Sequence, residues 1–393
     1  MCDLPETIRS LLAPPLRGST RATWRAEGGE TPSESFVETP LPDPPPQGGR
    51  GELAAARNTL RQAFMQAAGR LREAGIDTPE LDARLLLCHA AGLTHEAFIE
   101  RGGDRLAPDA QARLEVAVAR RLAGEPVSRI TGIREFYGRE FLVCPHTLDP
   151  RPDTETLVEA VVDLVARNGW RDRPIDLLDL GTGTGCILVT LLAELPRARG
   201  VGTDISIGAL AVATENARRH GVAARASFLA ADWLEGIEGK FDLIVSNPPY
   251  LAASEMAALP AEVAQDPTLA LDGGADGLDA YRRIAGNARD RLRDRGALLL
   301  EIGASQAGAI ASILDAADFA LPEPALLHDL AGRPRCLVAS ASQPERADGR
   351  RGTKFGLENG HVQVRFGPTT DISRPSALAR ARPVATATRA DFS

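Results

Sequence analysis

The stretch that most narrows the possible folds is "IDLLDLGTGTGCILVTLLAELP", residues 175–196. A short, apolar, strand-like run empties into a glycine loop, and the loop opens directly into an apolar helix. The same alternation continues downstream. "RGVGTDIS" reads as a strand, "GALAVATENARRHG" as a helix, "ASFLAADWL" and "FDLIVSNPPY" as strands, and "GALLLEIG" as a further strand. Strands that alternate with helical patterns predict a mostly parallel sheet with helices on both faces, a Rossmann-like α/β architecture. With 393 residues, 44% of them hydrophobic, the chain has enough apolar material for one large core or two smaller ones.

Upstream the texture is different. Leu53, Leu60, Phe64, Ala67 and Leu71 fall at helical spacing, and Gly75 follows as a stop. Thr78-Pro79 reads as an N-cap with proline at the first helical position, Thr94 opens a short helix, and Pro108 opens another. Short helices joined by short loops make a small bundle over residues 52–124. "RITGIREFYGREFLVCP" is rich in aromatic and β-branched residues with glycine breaks, so residues 125–155 are expected to form a hairpin linker. The α/β region then spans 156–341, with a helix over Thr154–Asn168 at its start. Residues 1–51 and 342–393 are rich in small and polar residues and proline. They are expected to be a disordered N-terminal extension and a disordered, net basic C-terminal tail.

Charge and cysteine usage exclude several classes. A net charge of −8 gives the molecule no overall electrostatic footprint for nucleic acid. The 5 cysteines are Cys2, Cys88, Cys144, Cys186 and Cys336, and none stands in C-x-x-C spacing. That pattern argues against a disulfide framework and against a zinc site, so no metal is expected and a reducing cytoplasm suits the chain. No apolar run approaches the ~20 residues of a membrane span, and the N-terminus lacks a signal-peptide pattern.

Chemistry is expected where strands end. Gly181, Thr182, Gly183 and Gly185 form a strand-to-helix loop at the place where a doubly wound sheet binds a nucleotide-like ligand. The spacing is G-x-G-x-G, and the Lys-Ser/Thr of a phosphate-binding loop is absent. Asp179 at the strand end would repel pyrophosphate and favour a cationic ligand. Asp204 ends the next strand, where it fits either the ribose hydroxyls or a helix N-cap. Asp232 and Trp233 follow the third strand; the acid can accept from an adenine amino group, and the indole fits either the base or the core. Acids at three successive strand ends describe a pocket for a positively charged nucleoside, such as S-adenosyl-L-methionine, better than one for NAD. After the fourth strand comes Asn247-Pro248-Pro249-Tyr250. The prolines fix φ and remove donors, leaving a carbonyl oxygen and the Asn247 side-chain oxygen as two rigid acceptors for a planar NH2 group. Tyr250, read as exposed, can stack on that flat group.

These residues resemble a known family. "DLGTGTGCI", "DIS", "ADW" and "SNPPYL" are similar to class I methyltransferases that methylate planar nitrogens. Among them the chain resembles the peptide chain release factor glutamine N5-methyltransferases (the HemK/PrmC family). "EFYGREF", "PRPDTETLV", "LALDGGADGLDAYRRIA", "LLEIGASQ" and "DLAGRPRCLVA" match as well, and the likeness covers residues 52–340. Departures are Asp149 for an aliphatic residue, Asp153 for Glu, and "QDP" (265–267) for an aromatic-Glu-Pro pattern. The resemblance implies a substrate-recognition role for the helices of 52–124 and a methyltransferase domain at 156–341. It implies S-adenosyl-L-methionine as cofactor and class I release factors as protein substrate, methylated at the glutamine of a Gly-Gly-Gln motif. Asn247, Pro248 and Tyr250 are the expected catalytic residues; with Pro249 and Arg151 they are also the expected substrate contacts. Asn247 is counted at the cofactor as well, beside Asp179, the glycine loop, Asp204, Asp232 and Trp233. Arg151 fits the substrate, the hinge, or a surface ion pair. Rival readings are a glutamine methyltransferase for ribosomal protein L3, a nucleic-acid amino-group methyltransferase, and a non-catalytic module that keeps the fold.

Overall fold

The computed structural model describes residues 58–259 and 263–341. Leu53 and both terminal extensions lie outside the described residues. Helices α1 (Leu60–Glu73), α2 (Pro79–Ala91), α3 (His95–Arg101), α4 (Pro108–Leu122) and α5 (Val127–Thr131) come first. A capping box starts α1: the Thr59 hydroxyl accepts from Gln62 N (3.2 Å), and the Gln62 side chain accepts from Thr59 N (2.9 Å). Thr78 sits at the N-cap position of α2, but its hydroxyl donates to Asp82 Oδ1 (2.9 Å) and caps no backbone N–H. Asp82 is committed elsewhere too, since its other oxygen accepts from Arg121 Nε of α4 at 2.7 Å in a buried pair. Leu60, Leu71, Leu86, Leu87 and Leu114 make a core of their own for these helices.

Strands β1 (Ile133–Phe136) and β2 (Arg139–Leu142) pair antiparallel. The connecting Tyr137 and Gly138 both have positive φ, 52° and 69°, as a tight two-residue hairpin requires. The hairpin is shorter than the sequence suggests, because Val127–Thr131 of the apparently β-rich run is helical.

The remaining elements are α6 (Glu155–Arg167), β3 (Ile175–Leu180), α7 (Cys186–Glu194), β4 (Ala198–Asp204), α8 (Ile207–Arg219), β5 (Ala226–Ala230), β6 (Phe241–Ser246), α9 (Ala253–Met256), α10 (Asp279–Ala288), β7 (Leu292–Glu301), α11 (Ala307–Ala316), β8 (Leu326–His328) and β9 (Pro334–Ser340). They build a 7-stranded sheet in the order β5-β4-β3-β6-β7-β9-β8. Strands β3 to β7 run parallel, while β9 pairs antiparallel with both β7 and β8. The sequence pattern did not single out β9 or the three-residue edge strand β8. Side chains alternate between two cores. Leu177 faces one with Leu157 and Leu188, and Leu178 faces the other with Ile284 and Ile310. The chain order reverses between β3 and β6, so their C-terminal ends open the crevice where such sheets hold ligands. No helix among the described residues is long and apolar enough to cross a membrane.

Candidate active site

The glycine loop after β3 is a tight coil. Thr182 N donates to Thr203 O (2.8 Å) and Gly185 N to Thr182 O (2.7 Å), with Gly181, Gly183 and Gly185 all at positive φ. Gly185 has a second constraint: a Cβ there would lie 3.0 Å from the Ala213 Cβ, so glycine lets α7 start against α8. A Cβ on Gly183 would meet nothing within 4 Å, which leaves that backbone open to a ligand.

Asp204 ties the loop to the next strand. Its Oδ2 accepts from Gly183 N and its Oδ1 from Ser206 N, each at 2.9 Å. Ser206, and not Asp204, caps α8, accepting from Ala209 N at 3.2 Å. Burial raises the Asp204 pKa, against the pull of those backbone bonds. Asp179 stands behind the loop, fully buried. Its Oδ2 accepts from Thr182 Oγ1 (2.7 Å), and its Oδ1 has no partner among the described residues. Burial pushes its pKa up to about 7, with the charge of Asp204 adding to the rise. Past β5, Asp232 accepts from Arg283 of α10 at 2.7 Å. Trp233, at φ 57°, lies along Gly181, where a Cβ would be 3.6 Å from its ring, and it also packs on the core around Ile284. The indole therefore packs on the core and also lines the cavity.

One cavity of about 580 Å³ joins these strand ends to the Asn-Pro-Pro-Tyr segment. Gly181, Thr182, Gly183, Asp204, Asp232 and Trp233 line one end, and Arg151, Asn247 and Pro249 line the other. Four expected residues are not on its wall: Asp179, Gly185, Pro248 and Tyr250. The expectation of an exposed Tyr250 is corrected here. Its ring packs against the core that holds Tyr281 and Ile302, and its carbonyl accepts from Gln306 Nε2 (2.9 Å). Packing the half-buried ring on this core is worth more to the fold than leaving it exposed.

Asn247 donates through Nδ2 to Thr154 Oγ1 at 3.1 Å. Nothing among the described residues hydrogen-bonds its Oδ1, the acceptor the motif requires. The glycine-rich turn of 272–277 lies on this segment: Leu251 N donates to Leu271 O (3.0 Å) and Gly273 N to Leu251 O (2.8 Å). A Cβ on Gly277 would come within 2.4 Å of the Tyr250 carbonyl. Arg151 is more than a surface pair. It meets Asp266 Oδ2 at 2.5 Å, and Asp266 is buried and also accepts from Arg129 Nη2 of α5 at 2.5 Å. The Arg129 guanidinium further holds the carbonyls of Cys144 and Thr147. Asp266 of "QDP" thus fastens the hairpin linker to the loop beside the cavity.

Sequence reasoning assigned no role to Thr154, Asp266, Arg283, Glu301 or Gln306. Glu301 carried a signal, since it is a carboxylate closing the apolar run Leu298–Leu300 at the functional end of the sheet. The cavity suits the cationic nucleoside that the resemblance implies. It offers an open glycine backbone, two carboxylates on successive strand ends and an indole edge, and the described residues contain no cluster able to hold a metal ion.

Comparison with known proteins identifies the family. Residues 62–132 match the PrmC N-terminal domain, and residues 170–310 match the methyltransferase small domain. The chain is similar to the release factor glutamine methyltransferase of Cereibacter sphaeroides, 50% identical over 278 residues, which are 70% of this chain and 96% of the relative. The enzyme of that name from Rhodospirillum rubrum is 45% identical over 296 residues (75% and 89%), and that of Bradyrhizobium diazoefficiens 44% over 293 (74% and 96%). With identity at this level across nearly the full length of such relatives, the chain belongs to the release factor glutamine methyltransferase family.

Proposed function

We propose that this protein transfers a methyl group from S-adenosyl-L-methionine to the side-chain amide nitrogen of the glutamine in the Gly-Gly-Gln motif of class I peptide chain release factors. The observation that carries this reading is the placement of Asn247. Its Oδ1 has no hydrogen-bond partner among the described residues, at the end of a cavity whose other end is lined by Asp204, Asp232 and Trp233.

When bound, the cofactor supplies a methyl group activated by a sulfonium. The residues of the chain do the rest by holding and orienting. Gly181 to Gly183 and Asp204 hold the methionine and ribose portions, Asp232 and Trp233 the adenine, and Asp179, ionised above about pH 7, backs the loop with negative charge. Asn247 Oδ1 and the Pro248 carbonyl accept the two N–H groups of the glutamine amide, which turns the nitrogen lone pair toward the methyl group. An amide nitrogen is a weak nucleophile, so the gain comes from orientation and from acceptors aimed at the charge that develops on nitrogen. The amide proton then passes to water as the N-methyl amide forms. The Pro249 ring and Tyr250 keep this segment stiff, and the helices of α1 to α5 meet the body of the release factor.

Tritium transfer from labelled cofactor tests the reading. Folded release factor should take label, its Gln-to-Glu variant should not, and total RNA and DNA should stay blank. Label in nucleic acid, with none in the release factor, overturns it.

A further inference from the structure

We propose that Thr154 and Glu301 are positioning residues that set which end of the Asn247 carboxamide faces the cavity. The proposal rests on Asn247 being the acceptor for the substrate amide. A carboxamide is nearly symmetric in shape and opposite in chemistry at its two ends. Turned by half a rotation, Asn247 would present NH2 to the substrate NH2, two donors facing each other.

A threonine hydroxyl does not by itself choose between the two orientations, because it can donate or accept. An ionised carboxylate can only accept, and Glu301 is placed to make the choice. Ser246 of β6 is paired with Leu300 of β7, so Asn247 and Glu301 leave adjacent strands side by side. Glu301 is buried, with 1% of its surface exposed, and its Oε2 has no partner among the described residues. The side chains of Thr154 and Asn247 stand close enough to its carboxylate for both to favour the ionised form. A Thr154 proton committed to Glu301 leaves the Thr154 oxygen as an acceptor, which takes the Asn247 Nδ2 proton at 3.1 Å. Polarity then runs one way, from carboxylate through hydroxyl to amide nitrogen, and Oδ1 is left for the cavity. Glu301 is not on the cavity wall, so it acts through Asn247 and does not touch the reacting atoms.

Burial pushes the Glu301 pKa up to about 7, against the pull of Thr154, Arg335 and Asn247. The groups that face it are Asp153, Arg335, Tyr250, Tyr281, Cys186 and Cys336, and the Tyr281 hydroxyl donates to its backbone carbonyl at 3.0 Å. Once protonated, Glu301 can donate, and the direction of the chain is no longer fixed. A limb in kcat below about pH 7 is therefore expected in the wild type.

The test uses the full chain with release factor and cofactor. Thr154→Val removes the hydroxyl at nearly constant shape, Thr154→Ser restores it, and Glu301→Gln keeps the size while allowing donation. Thr154→Val and Glu301→Gln should lower kcat by about 10- to 100-fold, on the scale of a mis-set catalytic hydrogen bond. Cofactor affinity by calorimetry should stay within about twofold, since only the acceptor end is disturbed. Thr154→Ser should recover most of the rate, and Glu301→Gln should lose the acid limb in kcat. Wild-type kcat in folded Thr154→Val or Glu301→Gln overturns the proposal, as does a loss of rate matched by a loss of cofactor affinity. If Glu301→Gln does not fold, the Thr154 pair decides. A wild-type enzyme that leaves the release factor unmethylated instead overturns the proposed function.

Discussion

At the glycine-loop end of the cavity, Asp179 accepts from the hydroxyl of Thr182, three residues further along the same loop. At the acceptor end, Glu301 closes β7 while its threonine, Thr154, precedes α6, far away in the chain. Both carboxyls are buried, and burial pushes both up to about 7. The device is shared and the construction is not. The first is one loop folding onto itself, so it depends on glycine φ angles and a strand end. The second exists only when a linker, two strands and a glycine turn have met. The local end should accordingly respond to single changes through binding, and the assembled end through rate.

The largest effect should come from the assembled end. Asn247→Ala removes one acceptor of the substrate amide and should lower the rate on the order of 10²–10³-fold. Cofactor affinity should be nearly unchanged by calorimetry. Equal labelling of release factor by the variant and the wild type would remove the acceptor end from the mechanism.

Next is the local end. Asp204→Ala should weaken cofactor binding by about 1.5–3 kcal/mol, the scale of hydrogen bonds to a charged group. Since Asp204 also holds Gly183 N, the glycine loop should loosen with it. Unchanged affinity in a folded variant would mean that the strand-end acid is not part of the pocket.

Asp179→Asn sharpens the comparison through pH. The carboxyl is raised from 3.8 to about 7, so between those values the folded state binds more protons than the unfolded one. Stability of the free wild type therefore falls as pH rises from about 4 to about 7 and stays lower above. The asparagine variant lacks that fall. In thermal melts without cofactor it should gain on the order of 4 kcal/mol relative to wild type at pH 8 over their difference at pH 4. A constant difference across that range would show that Asp179 is not a buried acid.

The smallest effect is expected from the ends of the chain. The residues lining the cavity lie between 145 and 283, so a chain trimmed to residues 51–341 should keep its rate within about twofold. A marked loss of rate with the thermal transition preserved would assign a terminal extension to substrate engagement.

Much of the local end was legible because its signals are short in sequence. A strand, three glycines and an acid within a few residues leave little freedom, and Asp204, Asp232 and Trp233 follow successive strands of the same sheet. The choice at Asp204 was not legible: Ser206, two residues on, takes the helix cap, and only the loop's path shows that the Asp204 oxygens go to Gly183 and Ser206. At the other end the Asn-Pro-Pro-Tyr segment announced itself, but its supports did not. Asp266 looked like a departure from the family pattern and is a buried anchor for Arg129 and Arg151. Tyr250 looked exposed and is packed.

The amino-acid sequence by itself determined the alternation of strands and helices, the sheet with its crevice, and the kinds of residue at each strand end. These follow from hydrophobic period and backbone stereochemistry, which act over a few neighbours. Tertiary structure alone decided that Thr154, Asn247 and Glu301 stand together, that Gly277 must be small beneath the Tyr250 carbonyl, and that Asp179 and Glu301 are buried deeply enough to hold a proton near neutrality. Burial and hydrogen-bond partners are properties of contacts between distant segments, and no local pattern encodes how much water a carboxyl loses when those segments close over it.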